Sequence, residues 1–286
     1  MRKISDIFPK ALRSNWAFCL IRGALTDLAN AFQPNRIVSK KTMFLLTSLW
    51  VFGAVMVWVN SPFEVIPKPQ HVVTAFVKLW TKDGLSRELL QSFTLNLKAL
   101  ALATAITVAL AISTVMPFMR PLVTAISKGR FLGLAGLTFV FTILVGGGSN
   151  LKISLLVFGI VVFFVTNMMA EVAGISKDKF DHARTLRMGE WRVVWEIVIL
   201  GSVDKALEAL RQNAAIGWMM LTMVEGISRS EGGVGALLLN TDKHFLLAEV
   251  FAIQFTILLL GVFQDYMIGG LKNLACPYSR IVLERK

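Results

Sequence analysis

Apolar residues in this chain come in long unbroken runs, not at the spacing of a water-soluble core. Four runs carry no charge over 18 to 21 residues: 42–60, 99–116, 131–151 and 153–170. About 20 such residues wound as a helix cross a hydrocarbon layer roughly 30 Å thick. Each run therefore predicts a transmembrane helix. Two shorter runs, 212–224 and 250–264, hold 13 and 15 uncharged residues. They span only if charged neighbours at their ends reach the interface with long side chains. The pattern predicts an all-α polytopic membrane protein with about six transmembrane helices.

The connecting segments have patterns of their own. After the first run, Pro62, Pro67 and Pro69 hold the backbone extended. Val72, Val73, Phe76, Val77, Leu79 and Trp80 then recur at helical spacing, which predicts an amphipathic helix on the outer side. Along the second run, small residues fall every four positions at Ala99, Ala103, Thr107 and Ala111, with Ala101, Ala105, Ala109 and Ser113 on an adjacent line. Stripes of this kind let helix backbones approach closely in lipid. Glycines cluster in GGGSN (146–150) and EGGVG (231–235), which predict turns.

Composition agrees with a membrane chain: 55% of residues are hydrophobic and 17% charged. With the amino terminus inside, the inner segments hold 20 Lys and Arg and the outer segments seven. Positive charge is retained on the cytoplasmic side, so both termini are expected in the cytoplasm of a prokaryotic inner-membrane protein. Three regions follow: a cytoplasmic amino-terminal segment 1–41, a transmembrane domain 42–267 and a cytoplasmic tail 268–286. No cleavable signal peptide is expected, because the first 41 residues hold eight Lys or Arg and no long apolar run. Residues 16–32 suit a helix lying on the membrane surface, the alternative being a basic tail. The net charge of +12 is accounted for by anionic membrane lipid, without nucleic acid.

Several chemistries lack their residues. GGGSNLKIS fails the phosphate-loop pattern, since Leu151 stands at the second Gly position and Ile153 follows Lys152. The three histidines, His71, His182 and His244, are far apart, and neither Cys19 nor Cys276 has metal-ligand company. Neither an enzymatic site nor a cofactor bound by this chain is expected.

One segment breaks the apolar pattern. Residues 171–200, EVAGISKDKFDHARTLRMGEWRVVWEIVIL, are densely charged. Phe180, Ala183, Leu186, Trp191, Val194 and Trp195 mark one face of a helical path, and Gly189 is expected to break that path into two helices. A loop that only joins two spans needs few residues. This one reads either as a docking element or as a helix resting on lipid headgroups.

DHARTLRMGEW (181–191) resembles the EAA loop of permease subunits of ATP-binding-cassette importers, in the branch for nitrate, taurine and sulfonates. Asp181, Ala183, Arg184, Thr185, Leu186 and Trp191 match its pattern. VIPKP (65–69), Arg211, Trp218 and Glu225 with GGVG resemble weaker elements of that family, over roughly 62–266. Arg187 replaces the usual Gly and Leu200 the usual Pro, and GRFLGLAG replaces a Pro-rich start to the third span. The resemblance implies a type I importer permease with a cytoplasmic coupling helix. Asp181, Ala183, Arg184, Leu186, Arg187 and Gly189 would then contact a separate ATPase dimer, which hydrolyses the ATP. A second permease subunit and an external solute-binding protein are the other implied partners.

Arg211, Trp218 and Glu225 are candidate pathway residues, Arg211 favouring an anionic solute if it faces the passage. Alternatively Arg211 sits at the inner interface and pairs with Glu208 three residues away. Other functions considered are a membrane scaffold or degenerate permease that docks another partner, and an ion-coupled carrier.

Overall fold

The computed structural model describes residues 38–62, 65–228 and 231–277, with the isolated positions 31 and 33. The expected surface helix at 16–32 and Cys19 lie outside these residues, apart from position 31. The chain divides into two compact units, Met1–Pro69 and Gln70–Lys286.

In the first unit, helix α1 (Lys40–Val59) starts at Ser39, whose Oγ accepts from the Thr42 amide at 3.4 Å. It is apolar on every side, and within its unit Phe44 and Trp50 are exposed. A helix hydrophobic all round calls for an apolar solvent. At its end the Trp58 indole donates to the Pro67 carbonyl at 3.1 Å, so the chain at Pro67 folds back on the helix.

The second unit is built from α2 (Pro69–Thr81), α3 (Leu85–Ser113), α4 (Arg120–Lys128), α5 (Leu134–Val145), α6 (Ser149–Ala173), α7 (Lys177–Thr185), α8 (Glu190–Val193), α9 (Val203–Ile227), α10 (Val234–Lys243) and α11 (Leu247–Ala275). A 3₁₀ turn, Gly129–Phe131, follows α4. A π turn, Val194–Ile199, and a 3₁₀ turn, Leu200–Ser202, join α8 to α9. Among the described residues every regular element is helical. Four helices, α1, α3, α6 and α11, are long and apolar enough to cross a membrane, and α4 with α5 makes a fifth if that bent pair is one span.

The third apolar run is not the single helix its pattern predicts. The chain bends by 119° between α4 and α5, and α5 has only 12 residues. At 1.5 Å per residue it rises about 18 Å, too little for a bilayer core. Glycines interrupt the run: Gly133 is extended (φ −71°, ψ 127°) and Gly146 takes φ 84°. The two short runs gain length by taking in charged turns, α9 reaching 25 residues and α11 29. Likewise α3 begins at Leu85, before the uncharged run, with Arg87 and Glu88 in its first turn.

Side-chain contacts give the direction of each helix. At one end, Glu88 and Ser92 of α3, Lys152 of α6 and Glu225 of α9 gather on the turn 231–235. At the other, Ala111 of α3 packs with Phe164 and Met168 of α6 and Ala209 of α9. Hence α3 and α6 run in the same direction and α9 runs against them. The intervening α4 and α5 must return the chain to the end from which α3 set out.

Of the two small-residue stripes on α3, Ala99, Ala103, Thr107 and Ala111 are buried, whereas Ala101, Ala105 and Ala109 are exposed. The first stripe is the packed seam of the unit.

Candidate functional site

Three groups of side chains are candidates: the charged loop, the clamp on the turn 231–235, and the polar contacts between α9 and α11.

The loop leaves α6 at Ala173 and forms α7. Its end is closed by two backbone bonds, Arg187 N–H to Arg184 O at 2.9 Å and Met188 N–H to Ala183 O at 3.2 Å. This closure needs a left-handed residue, and Arg187 supplies it with φ 55°. A side chain with a β-carbon is costly there, by roughly 1–2 kcal/mol. A glycine would adopt this conformation freely, and the Arg keeps the shape at a cost. Gly189, expected to make the break, instead caps α8 with φ −63° and ψ 147°, which any residue adopts.

The expected apolar face divides into two. Ala183, Val193, Val194 and Val198 are buried against the chain itself, while Leu186, Trp191 and Trp195 are 63%, 71% and 58% exposed. Ala183, expected at the docking contact, is thus part of the loop's own packing, and Leu186 forms the apolar tip. Asp181, Arg184 and Arg187 are exposed beside it. Arg184 lies 3.7 Å from Asp181 and 3.3 Å from Glu190, which ties α7 to α8. At the base, Lys205 meets Glu171 at 2.6 Å, so the loop departs and returns at one place. Leu200 opens the 3₁₀ turn, and the Ser202 hydroxyl donates back to the Val198 carbonyl.

At the opposite end, five consecutive residues of EGGVG are gripped. Gln91 Nε2 donates to the Glu231 carbonyl at 2.7 Å and Lys152 Nζ to the Gly232 carbonyl at 2.8 Å. The Gly233 amide donates to the Glu88 carboxylate and the Val234 amide to Ser92 Oγ at 2.9 Å. Glu225 accepts from the Gly235 amide at 2.8 Å and the Ser92 hydroxyl at 2.7 Å. Gly232 and Gly233 have φ of 71° and 107°, closed to most side chains. A β-carbon on Gly235 would stand 2.8 Å from Thr222 Cα. Lys152 and Glu225 are each 1% exposed. Buried charges persist only when hydrogen-bonded and compensated, and here backbone groups of the turn do much of this.

Between these ends, Gln264 Oε1 accepts from the Trp218 indole at 2.7 Å and from Asn96 Nδ2 at 3.1 Å. One oxygen thereby joins α3, α9 and α11. Closer to the loop end, Arg211 grips Asp265 with two nitrogens at 2.5 and 2.9 Å. Glu208 stands 3.8 Å from Arg211 and 2.7 Å from Lys272. The expected Glu208–Arg211 pair is present but secondary, because Asp265 offers the fork that a guanidinium fits. This four-residue network has no net formal charge. Trp218 and Glu225 are inside the bundle, 6% and 1% exposed, so neither lines an open passage in this chain.

Sequence reasoning missed Asp265, Gln264 and Lys152 as partners. The first two end the last apolar run, and Lys152 separates the third run from the fourth. An interrupting charge or amide was the available signal. No protein-family model matches the sequence, and no curated protein matches it either.

Proposed function

We propose that the chain is the membrane-spanning subunit of an ATP-driven importer, moving a small solute by alternating access while a separate ATPase hydrolyses ATP. The observation that carries this reading is the loop's form: a capped helix–turn–helix, tied at its base by Glu171 and Lys205, with Leu186 exposed among Asp181, Arg184 and Arg187. A rigid apolar tip ringed by charge suits transmission of a stroke, which a slack loop would absorb. The resemblance of 181–191 to the EAA loop adds the class of partner, and with it the second permease subunit and the external solute-binding protein.

The same-direction run of α3 and α6 supports a return crossing by α4 and α5; six crossings follow if α9 also crosses, with both termini on the cytoplasmic side by the distribution of Lys and Arg. An anionic solute rests on the family resemblance alone, since Arg211 is matched by Asp265.

The test is co-purification with an ABC ATPase from the native membrane, for the parent and for Leu186→Glu. Leu186 is chosen because its exposed side chain can change without disturbing the loop, unlike buried Ala183. The expected result is retention by the parent and a loss on the order of 2 kcal/mol, or about thirtyfold, in the variant. A parent that retains no ATPase overturns the importer reading. It would favour a scaffold or degenerate permease, for which Arg187 in the left-handed position is the supporting departure.

A further inference from the structure

Two cavities lie side by side beneath the loop. The inner one, about 210 Å³, is walled by apolar side chains of α3, α6, the π turn and α9, among them Val108, Phe164, Met168 and Leu207. The outer one, about 460 Å³, adds Thr114, Arg120 and Thr124. Val172 and Val198 line both, so the two cavities adjoin at these side chains, with Thr114, Thr124 and Arg120 among the apolar walls at the mouth of the second.

The charge at that mouth is one-sided. Arg120 Nε donates to the Thr114 carbonyl at 3.0 Å, which holds the guanidinium in place. Among the described residues no carboxylate pairs with it. Of the residues that line the two cavities, Arg120 is the one charged side chain. Arg120 and Lys128 sit on α4, whose Val123 is fully buried where α4 packs on α6.

We propose that this composite cavity binds one anionic phospholipid, with its phosphate at Arg120 and part of an acyl chain between α3, α6 and the π turn. The occupant follows from the two halves together. A cavity of about 150 Å³ with apolar walls suffices to hold benzene, and methylenes supply the dispersion contacts such walls offer. A free inorganic anion would use Arg120 and leave the apolar half unused. A zwitterionic lipid would fill the apolar half and bring its own cation to Arg120. An anionic lipid of the adjoining leaflet meets both requirements and is plentiful there. Because Val198 belongs to the return path of the loop, the bound lipid touches the segment that links the loop to α9.

The test uses the full chain, delipidated in detergent and titrated with phosphatidylglycerol or phosphatidylcholine, with bound lipid counted by native mass spectrometry. The parent is expected to hold one phosphatidylglycerol about tenfold more tightly than phosphatidylcholine. Arg120→Gln should abolish that preference, and Ala206→Phe, which fills the apolar half, should weaken both lipids. Equal binding of the two lipids by the parent overturns the proposal. So does full competition by inorganic phosphate, which would mark an anion site without an acyl chain. If Ala206→Phe does not fold, Ala206→Leu replaces it, and the Arg120→Gln comparison decides the headgroup contact independently.

Discussion

Arg187 holds a backbone conformation that glycine adopts freely, and two hydrogen bonds of the α7 closure depend on it. Replacing it with glycine should stabilise that closure by about 1 kcal/mol. Hydrogen exchange at the Met188 amide would then slow about fivefold; faster exchange would mean that the arginine side chain itself supports the turn. Lys152 presents the opposite case, a charge buried for the sake of one carbonyl. Lys152→Met should leave the Gly232 carbonyl unsatisfied and cost about 1–3 kcal/mol in a denaturant titration in micelles. At this scale the sequence was legible by type rather than by partner. Asp181, Arg184 and Leu186, expected at a docking contact, are exposed, yet Ala183, expected beside them, is buried within the chain, because small residues suit a close contact on either side. The grip of Asp265 on Arg211 spans 54 positions and has no local signature.

The amphipathic spacing of 72–80 correctly gave helix α2, and the four-residue stripe on α3 gave its buried seam. Both are periodic signals, and periodicity survives tertiary packing. The third run misled because uncharged residues alone do not make a continuous helix: Gly133 and Gly146 mark its breaks. Element ends were missed where helices extend through charged turns whose charges are paired elsewhere. One such end is that of α11, where Glu249 meets Lys78 of α2 at 2.7 Å. This hydrogen bond, with the charge of Glu249, raises Lys78 above its ordinary 10.5. The tie is therefore fully present below that pH and is lost only as pH rises through the higher folded value. A spin-label distance between α2 and α11 should stay constant from neutrality to pH 10.5 and broaden in Lys78→Met at every pH. A parent already broadened at neutral pH would remove the tie.

Across the whole molecule, the class was legible because membrane composition is a bulk property, while the path between α3 and α6 was not, since it depends on contacts far apart in sequence. Impermeant thiol labelling tests that path. Gly147→Cys in intact cells should react from outside, and Met188→Cys only after permeabilisation. Reaction of both from one side would mean that α4 and α5 fail to cross. The shortness of α5 also bears on how the protein is made. A nascent helix rising about 18 Å cannot by itself hold a place across the hydrocarbon. Insertion of 120–145 must therefore await synthesis of α6, and the two enter as a hairpin about Gly146 and Gly148. A ribosome stalled before Gly146 should leave this part of the chain on the side where it was synthesised, and one stalled beyond Ala173 should not.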